Sequence, residues 1–195
     1  VMACEARGVS PIMRVGGVIE SDIFKALDIG VHGLQIPNVN SKDDVLEIVR
    51  MSKYPPTGNR GYSPFTRAGD YSIKNSTTLT EKANKNTLLG INVEGKDAIE
   101  NIDSILAIEN LDIIFIGLFD LSKALGIPGQ VNDPQVMSCL EDLVRKIKAA
   151  GKYPGTIATT SEKMKEFLAI GFKYLLYLVD CEMLRASYAD VQAKF

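Results

Sequence analysis

Four polar residues close otherwise apolar runs. Arg14 ends Pro-Ile-Met-Arg, Asn92 and Glu94 end Leu-Leu-Gly-Ile-Asn-Val-Glu, and Asp120 ends Ile-Ile-Phe-Ile-Gly-Leu-Phe-Asp. Glu94 and Asp120 lie 26 positions apart, one strand-plus-helix unit, and neighbouring parallel strands run about 4.8 Å apart. Two carboxylates so placed can meet. As hard oxygen donors they suit Mg²⁺ or Mn²⁺, which keeps several waters and leaves coordination positions for a substrate. Arg14 is a permanent cation of the kind that stabilises an oxyanion such as an enolate. The competing assignment is structural: Asp120 and Glu94 would cap the helices that follow them, and Arg14 would form a rim ion pair.

Asp28 sits in the last turn of an expected helix, where the macrodipole disfavours negative charge by about 0.3–1 kcal/mol. Either another group wants an acid there, or the acid is exposed and tolerates the penalty. The stretch 54–68 reads as a long loop with Pro55-Pro56 and two glycines, and long ordered loops at a functional edge are usually lids or binding loops. Arg60 and Arg67 within it could bind a carboxylate or phosphate, or could tether the loop by ion pairs. His32, the single histidine, enters a strand at the edge opposite the active face, so no Ser/His/Asp or Cys/His arrangement is available. Cys4, Cys139 and Cys181 are widely spaced, outside any C-x-x-C pattern, as expected of reduced thiols in a cytoplasmic protein.

Positioning such residues requires strands. Six candidates are continuous in apolarity, as strands buried on both faces are: Pro11–Val15, Gly33–Pro37, Leu88–Glu94, Asp112–Gly117, Tyr153–Ala158 and Lys173–Val179. Helical periodicity fills the gaps over Ser41–Ser52, Gly95–Ala107 and Asp133–Ala150, and glycine follows three helical stretches at Gly30, Gly151 and Gly171. With 46% hydrophobic and 24% charged residues the 195-residue chain can bury one substantial core, and it is expected to form a single domain over residues 1–195. Its 22 basic and 24 acidic side chains give a net charge of −2, so no overall positive field exists to hold nucleic acid or an anionic membrane. No apolar run approaches the roughly 18 residues a membrane span needs.

Alternating strand and helix leaves an open doubly wound α/β sheet or a closed (β/α)₈ TIM barrel. No G-x-G-x-x-G or G-x-x-x-x-G-K-[ST] motif follows any strand, which favours the barrel. Six strands do not close an eight-stranded barrel, so two βα units are expected to be absent from this chain.

Four segments in this order, Lys-Tyr-Pro-Pro-Thr-Gly-Asn-Arg-Gly (53–61), Val-Glu-Gly-Lys-Asp-Ala-Ile-Glu-Asn-Ile (93–102), Phe-Ile-Gly-Leu-Phe-Asp-Leu-Ser (115–122) and Gly-Ile-Pro-Gly (126–129), resemble the HpcH/HpaI aldolase family. The resemblance covers nearly the whole chain. It implies a TIM barrel and a class II lyase that uses a divalent cation (Mg²⁺, Mn²⁺ or Co²⁺) to cleave a 2-keto-4-hydroxy acid to pyruvate and an aldehyde through a metal-bound enolate. It implies that Glu94 and Asp120 bind the metal, that Arg14 stabilises the pyruvate enolate, and that the backbone amides of Phe119 and Asp120 receive the pyruvate carboxylate. Asp28 falls at the aspartate that tunes the family's catalytic histidine, and Asn92 where a substrate-binding Gln is common. Leu118 replaces the usual Gly-Pro, and Leu178 a usual small residue. The family's histidine base lies in a loop after the second barrel strand, for which this chain has no counterpart; residues 1–8 read as the tail of the second helix. A homo-oligomer, trimer or hexamer, is also implied. An acyl-CoA lyase of the malyl or citramalyl type, or a barrel that binds without catalysis, are the other expectations.

Overall fold

All six apolar runs become parallel strands: β1 (Ile12–Arg14), β2 (Gly33–Ile36), β3 (Leu88–Val93), β4 (Ile113–Ile116), β5 (Tyr153–Ala158) and β6 (Tyr174–Tyr177), hydrogen-bonded in sequence order. The computed structural model describes residues 1–72 and 75–195. The helices are α1 (Met2–Glu5), α2 (Glu20–Asp28), α3 (Lys42–Ser52), α4 (Ser76–Asn86), α5 (Lys96–Glu100), α6 (Ile102–Leu106), α7 (Leu118–Ala124), α8 (Pro134–Ala149), α9 (Ser161–Ile170) and α10 (Asp180–Gln192).

Local chemistry sets several of these boundaries. Ser41 and Asp44 form a reciprocal capping box at the start of α3, Asp133 caps α8 ahead of Pro134, and Thr160 caps α9. Gly171 ends α9 in the left-handed region at φ 112°, which a side chain would resist. Two stretches differ from expectation. The helix expected over Gly95–Ala107 is two short helices with a break at Asn101, and α4 has no buried residue and so no apolar stripe to announce it.

Register assigns the faces. Leu34, Ile36, Leu89, Ile91, Ile114 and Ile116 alternate onto one face and are almost wholly buried under the helices. Burying each such side chain stabilises the fold by roughly 1.5–3 kcal/mol before entropy is counted. The other face carries Arg14, Gln35, Asn92, Phe115 and Tyr174, because Arg14 pairs with Gln35 and Asn92 with Phe115 in the ladder.

That second face is concave. The Tyr174 hydroxyl on β6 lies 3.1 Å from Gln35 Oε1 on β2, although three strands intervene. In a flat sheet the two strands would be about 19 Å apart, and a tyrosine reaches only roughly 6.5 Å from its Cα. The sheet therefore curls into a half-barrel with these side chains inside. Within the described residues the arc does not close: β1 and β6 are its edges, and α10 leaves Leu184, Tyr188 and Val191 exposed. No helix among the described residues is long and apolar enough to cross a membrane.

Candidate active site

The residues singled out at the ends of apolar runs stand at the carboxyl ends of β1, β3 and β4. Arg14 is the last residue of β1. It is exposed, and no hydrogen bond or ion pair engages its side chain among the described residues. Asn92 is buried in β3, and Glu94 follows that strand by one residue. The Glu94 carboxylate is held twice: Asn92 Nδ2 donates to Oε1 at 2.7 Å, and the backbone N–H of Asn38 donates to Oε2 at 3.3 Å. Asn38 turns the loop after β2 through the left-handed region at φ 58°, a conformation that asparagine tolerates better than most residues.

Asp120 lies in the first turn of α7 behind Gly117. Val93 pairs with Ile116, so the next residues along the two strands, Glu94 and Gly117, are neighbours. A Cβ on Gly117 would stand 3.0 Å from Asp120 Oδ2. The aspartate thus folds back over a residue that has no side chain and that neighbours the end of β3. No side chain caps α7, so the Phe119 and Asp120 amides are among the helix N–H groups without an intrahelical partner. The Phe119 ring itself is exposed.

Two residues of the site escape a reading of residue types. Gln35 and Tyr174 extend the polar contacts inward, since Gln35 Nε2 donates to Asn92 Oδ1 at 2.7 Å and Tyr174 donates to Gln35. Burial pushes the Tyr174 phenol above its ordinary range, which keeps it a proton donor. The one signal was a glutamine inside the apolar strand Gly33–Ile36.

Asp28 is not brought to this edge. It ends α2, ahead of β2, and therefore sits at the amino-terminal end of the sheet, where it accepts a hydrogen bond from Arg60 at 2.9 Å. The Arg60 side chain is 3% exposed and stacks 4.6 Å from the Tyr54 ring centroid. The acid that seemed out of place at a helix C-terminus serves a buried guanidinium.

Loop 54–68 is likewise at the far edge, because it leads from α3 towards α4 and β3. It is tethered by Arg60 to Asp28 and by Arg67 to Glu5, and Glu5 also faces His32 at 3.6 Å. The tethering alternative accounts for both arginines, and the lid expectation does not hold. Cys4, Cys139 and Cys181 are free thiols.

Among the described residues no cluster of three or more His, Cys, Asp or Glu side chains could hold a metal. A donor set at the carboxyl edge drawn from Glu94 and Asp120 would be two carboxylates. That fits Mg²⁺ or Mn²⁺, which retain water ligands, and not a closed tetrahedral zinc site.

Residues 1–185 match the family model HpcH/HpaI aldolase/citrate lyase, and the chain belongs to that family. It is 36% identical over 172 residues to the 2-keto-3-deoxy-L-rhamnonate aldolase of Escherichia coli, which covers 87% of this chain and 63% of the relative. The 4-hydroxy-2-oxo-heptane-1,7-dioate aldolase of Shigella sonnei is 31% identical over 186 residues, covering 95% of this chain and 70% of the relative. The crystal structure of an HpcH/HpaI aldolase from Desulfitobacterium hafniense superposes with a TM-score of 0.93 at 32% identity, covering 100% of this chain and 75% of that one. The chain accordingly spans less than two thirds of the rhamnonate aldolase.

Proposed function

We propose that this protein is a divalent-metal-dependent lyase that cleaves a 2-keto-4-hydroxy acid to pyruvate and an aldehyde. The observation that carries the reading is that Glu94, held by Asn92 and Asn38, and Asp120, folded over Gly117, stand at the carboxyl ends of adjacent strands. Glu94 and Asp120 would hold the cation, whose chemistry when bound is that of a Lewis acid for the carbonyl of a keto acid.

The chain's own residues then have defined tasks. Retro-aldol cleavage breaks the C3–C4 bond, the 4-hydroxyl loses its proton as the aldehyde forms, and the electron pair moves to the 2-keto oxygen. Arg14, a permanent cation that no side chain engages among the described residues, meets the charge developing on that oxygen. The amides of Phe119 and Asp120 receive the substrate carboxylate at the start of α7. Protonation at C3 then gives pyruvate. His32 takes no part, being at the opposite edge beside Glu5.

The test is release of pyruvate from 2-keto-4-hydroxy acids by the full-length protein in the presence of Mg²⁺ or Mn²⁺. Pyruvate release that is lost in Glu94→Ala supports the assignment, and absence of release from every such acid overturns it. The family description also names citrate lyase, so a parallel assay with malyl and citramalyl thioesters separates an acyl-CoA lyase from an aldolase.

A further inference from the structure

Tyr174, Gln35, Asn92 and Glu94 form one hydrogen-bonded chain with a fixed direction. The phenol donates to Gln35 Oε1 at 3.1 Å, Gln35 Nε2 to Asn92 Oδ1 at 2.7 Å, and Asn92 Nδ2 to Glu94 Oε1 at 2.7 Å. An ionised carboxylate only accepts. The Asn92 amide must therefore turn its NH₂ towards Glu94 and its oxygen towards Gln35, which must then turn its own NH₂ towards Asn92. Gln35 is left presenting an oxygen to β6, and a donor has to stand there. Reversing either amide would set two oxygens face to face at 2.7 Å. Gln35 and Asn92 are 6% and 2% exposed, so bulk water does not replace a lost partner, and an unsatisfied buried amide oxygen is costly.

The phenol is held at its post by packing. Gly155 pairs with Tyr174 in the ladder, and a Cβ there would lie 2.7 Å from Tyr174 Cδ1. Phe115 meets the same ring edge-on at 6.3 Å between centroids. A glycine and an aromatic on the two preceding strands thus leave the tyrosine room to lean across the concave face and reach β2.

We propose that Tyr174 and Gln35 are positioning residues that lock the Asn92 amide and thereby fix the Glu94 carboxylate for a divalent cation. The metal half of this inference rests on the metal-site reading of Glu94 given above. Ligating carboxylates are oriented by the hydrogen bonds behind them, and substitution of such partners typically costs about 10–100-fold in metal affinity or activity. Tyr174 acts two links away, so the effect expected of it is smaller.

The experiment measures Mn²⁺ binding by electron paramagnetic resonance to the protein and to its Tyr174→Phe, Gln35→Met and Glu94→Ala variants. Alongside it, NMR follows solvent exchange of the Asn92 side-chain NH₂ protons in the metal-free proteins. Glu94→Ala abolishes binding, Gln35→Met weakens it about 10-fold and Tyr174→Phe about 3-fold. The Tyr174→Phe/Gln35→Met double variant is no worse than Gln35→Met alone, because the phenol acts only through that amide. Asn92 exchange accelerates in both single variants while their thermal unfolding stays cooperative, which a general loss of structure would not produce. If Tyr174→Phe and Gln35→Met both leave Mn²⁺ affinity and Asn92 exchange unchanged while Glu94→Ala abolishes binding, the positioning role is overturned and the metal site stands. Equal Mn²⁺ binding by the unaltered protein and Glu94→Ala overturns the metal-site reading and this proposal with it.

Discussion

Asp28 accepts a hydrogen bond from the buried guanidinium of Arg60 at 2.9 Å, at the end of the sheet opposite Glu94. Removing one partner of such a pair strands the other charge away from water. Asp28→Ala is therefore expected to cost about 3 kcal/mol of stability, read from the urea midpoint, with Mn²⁺ affinity unchanged. Lost metal binding at full stability would contradict the structural assignment.

Gly117→Ala isolates the position of the Asp120 carboxylate. The backbone there, at φ −80°, accepts alanine without strain, but the new methyl would stand 3.0 Å from Asp120 Oδ2. Metal affinity should drop by about 10-fold, while stability moves by less than about 1 kcal/mol. Calorimetric titration with Mn²⁺ and urea unfolding separate the two quantities.

The alkaline stability profile has a definite shape. Burial lowers Lys53 and Lys152 from the usual 10.5, with Asp112 partly offsetting it; each ammonium donates to two carbonyls. Between the lowered folded values and 10.5 the unfolded chain binds more protons, so this contribution raises stability as pH climbs towards 10.5. Tyr54 and Tyr174 are raised above the usual 10.0, chiefly by burial. Above that pH the unfolded chain releases their protons first, so stability falls. Urea midpoints between about pH 8 and 11 should rise and then turn down. Tyr174→Phe should soften the fall, and an unaltered descent in that variant would remove Tyr174 from the account.

Leu178 closes β6 with φ 59°, a conformation that costs a non-glycine residue roughly 1–2 kcal/mol. Leu178→Gly should raise stability by up to about 1 kcal/mol, the gain being reduced by the greater freedom of glycine in the unfolded chain. Differential scanning calorimetry would show it as a higher Tm, and a lower one would mean that the leucine side chain contributes more packing than the backbone loses.

Sequence carried the strands well, because runs such as Leu88–Glu94 and Asp112–Gly117 stay apolar on both faces, and Ser41, Asp133 and Gly171 are strong boundary signals. It did not carry α4, a polar helix that Asn75 caps, or the break at Asn101. The carboxyl-edge residues were legible because they end apolar strands. Asp28 was legible as the last residue of a helix, but its partner Arg60 was not, because the two are 32 positions apart and meet only through the fold. Gln35 and Tyr174 were illegible for a different reason: their meeting depends on the curvature of the sheet, and they are 139 positions apart. Asn38 contributes a backbone N–H, which no residue type advertises.

Gly155 touches neither carboxylate, yet the space it leaves decides whether a phenol can span the concave face. In a screen for variants with weakened metal binding, a single added methyl at position 155 should score alongside Tyr174→Phe. Read without the curvature of the sheet, the last two strands would be taken for inert walls. The phenotype would instead map them to the metal site, and the heritable unit of that site would run from β2 to β6.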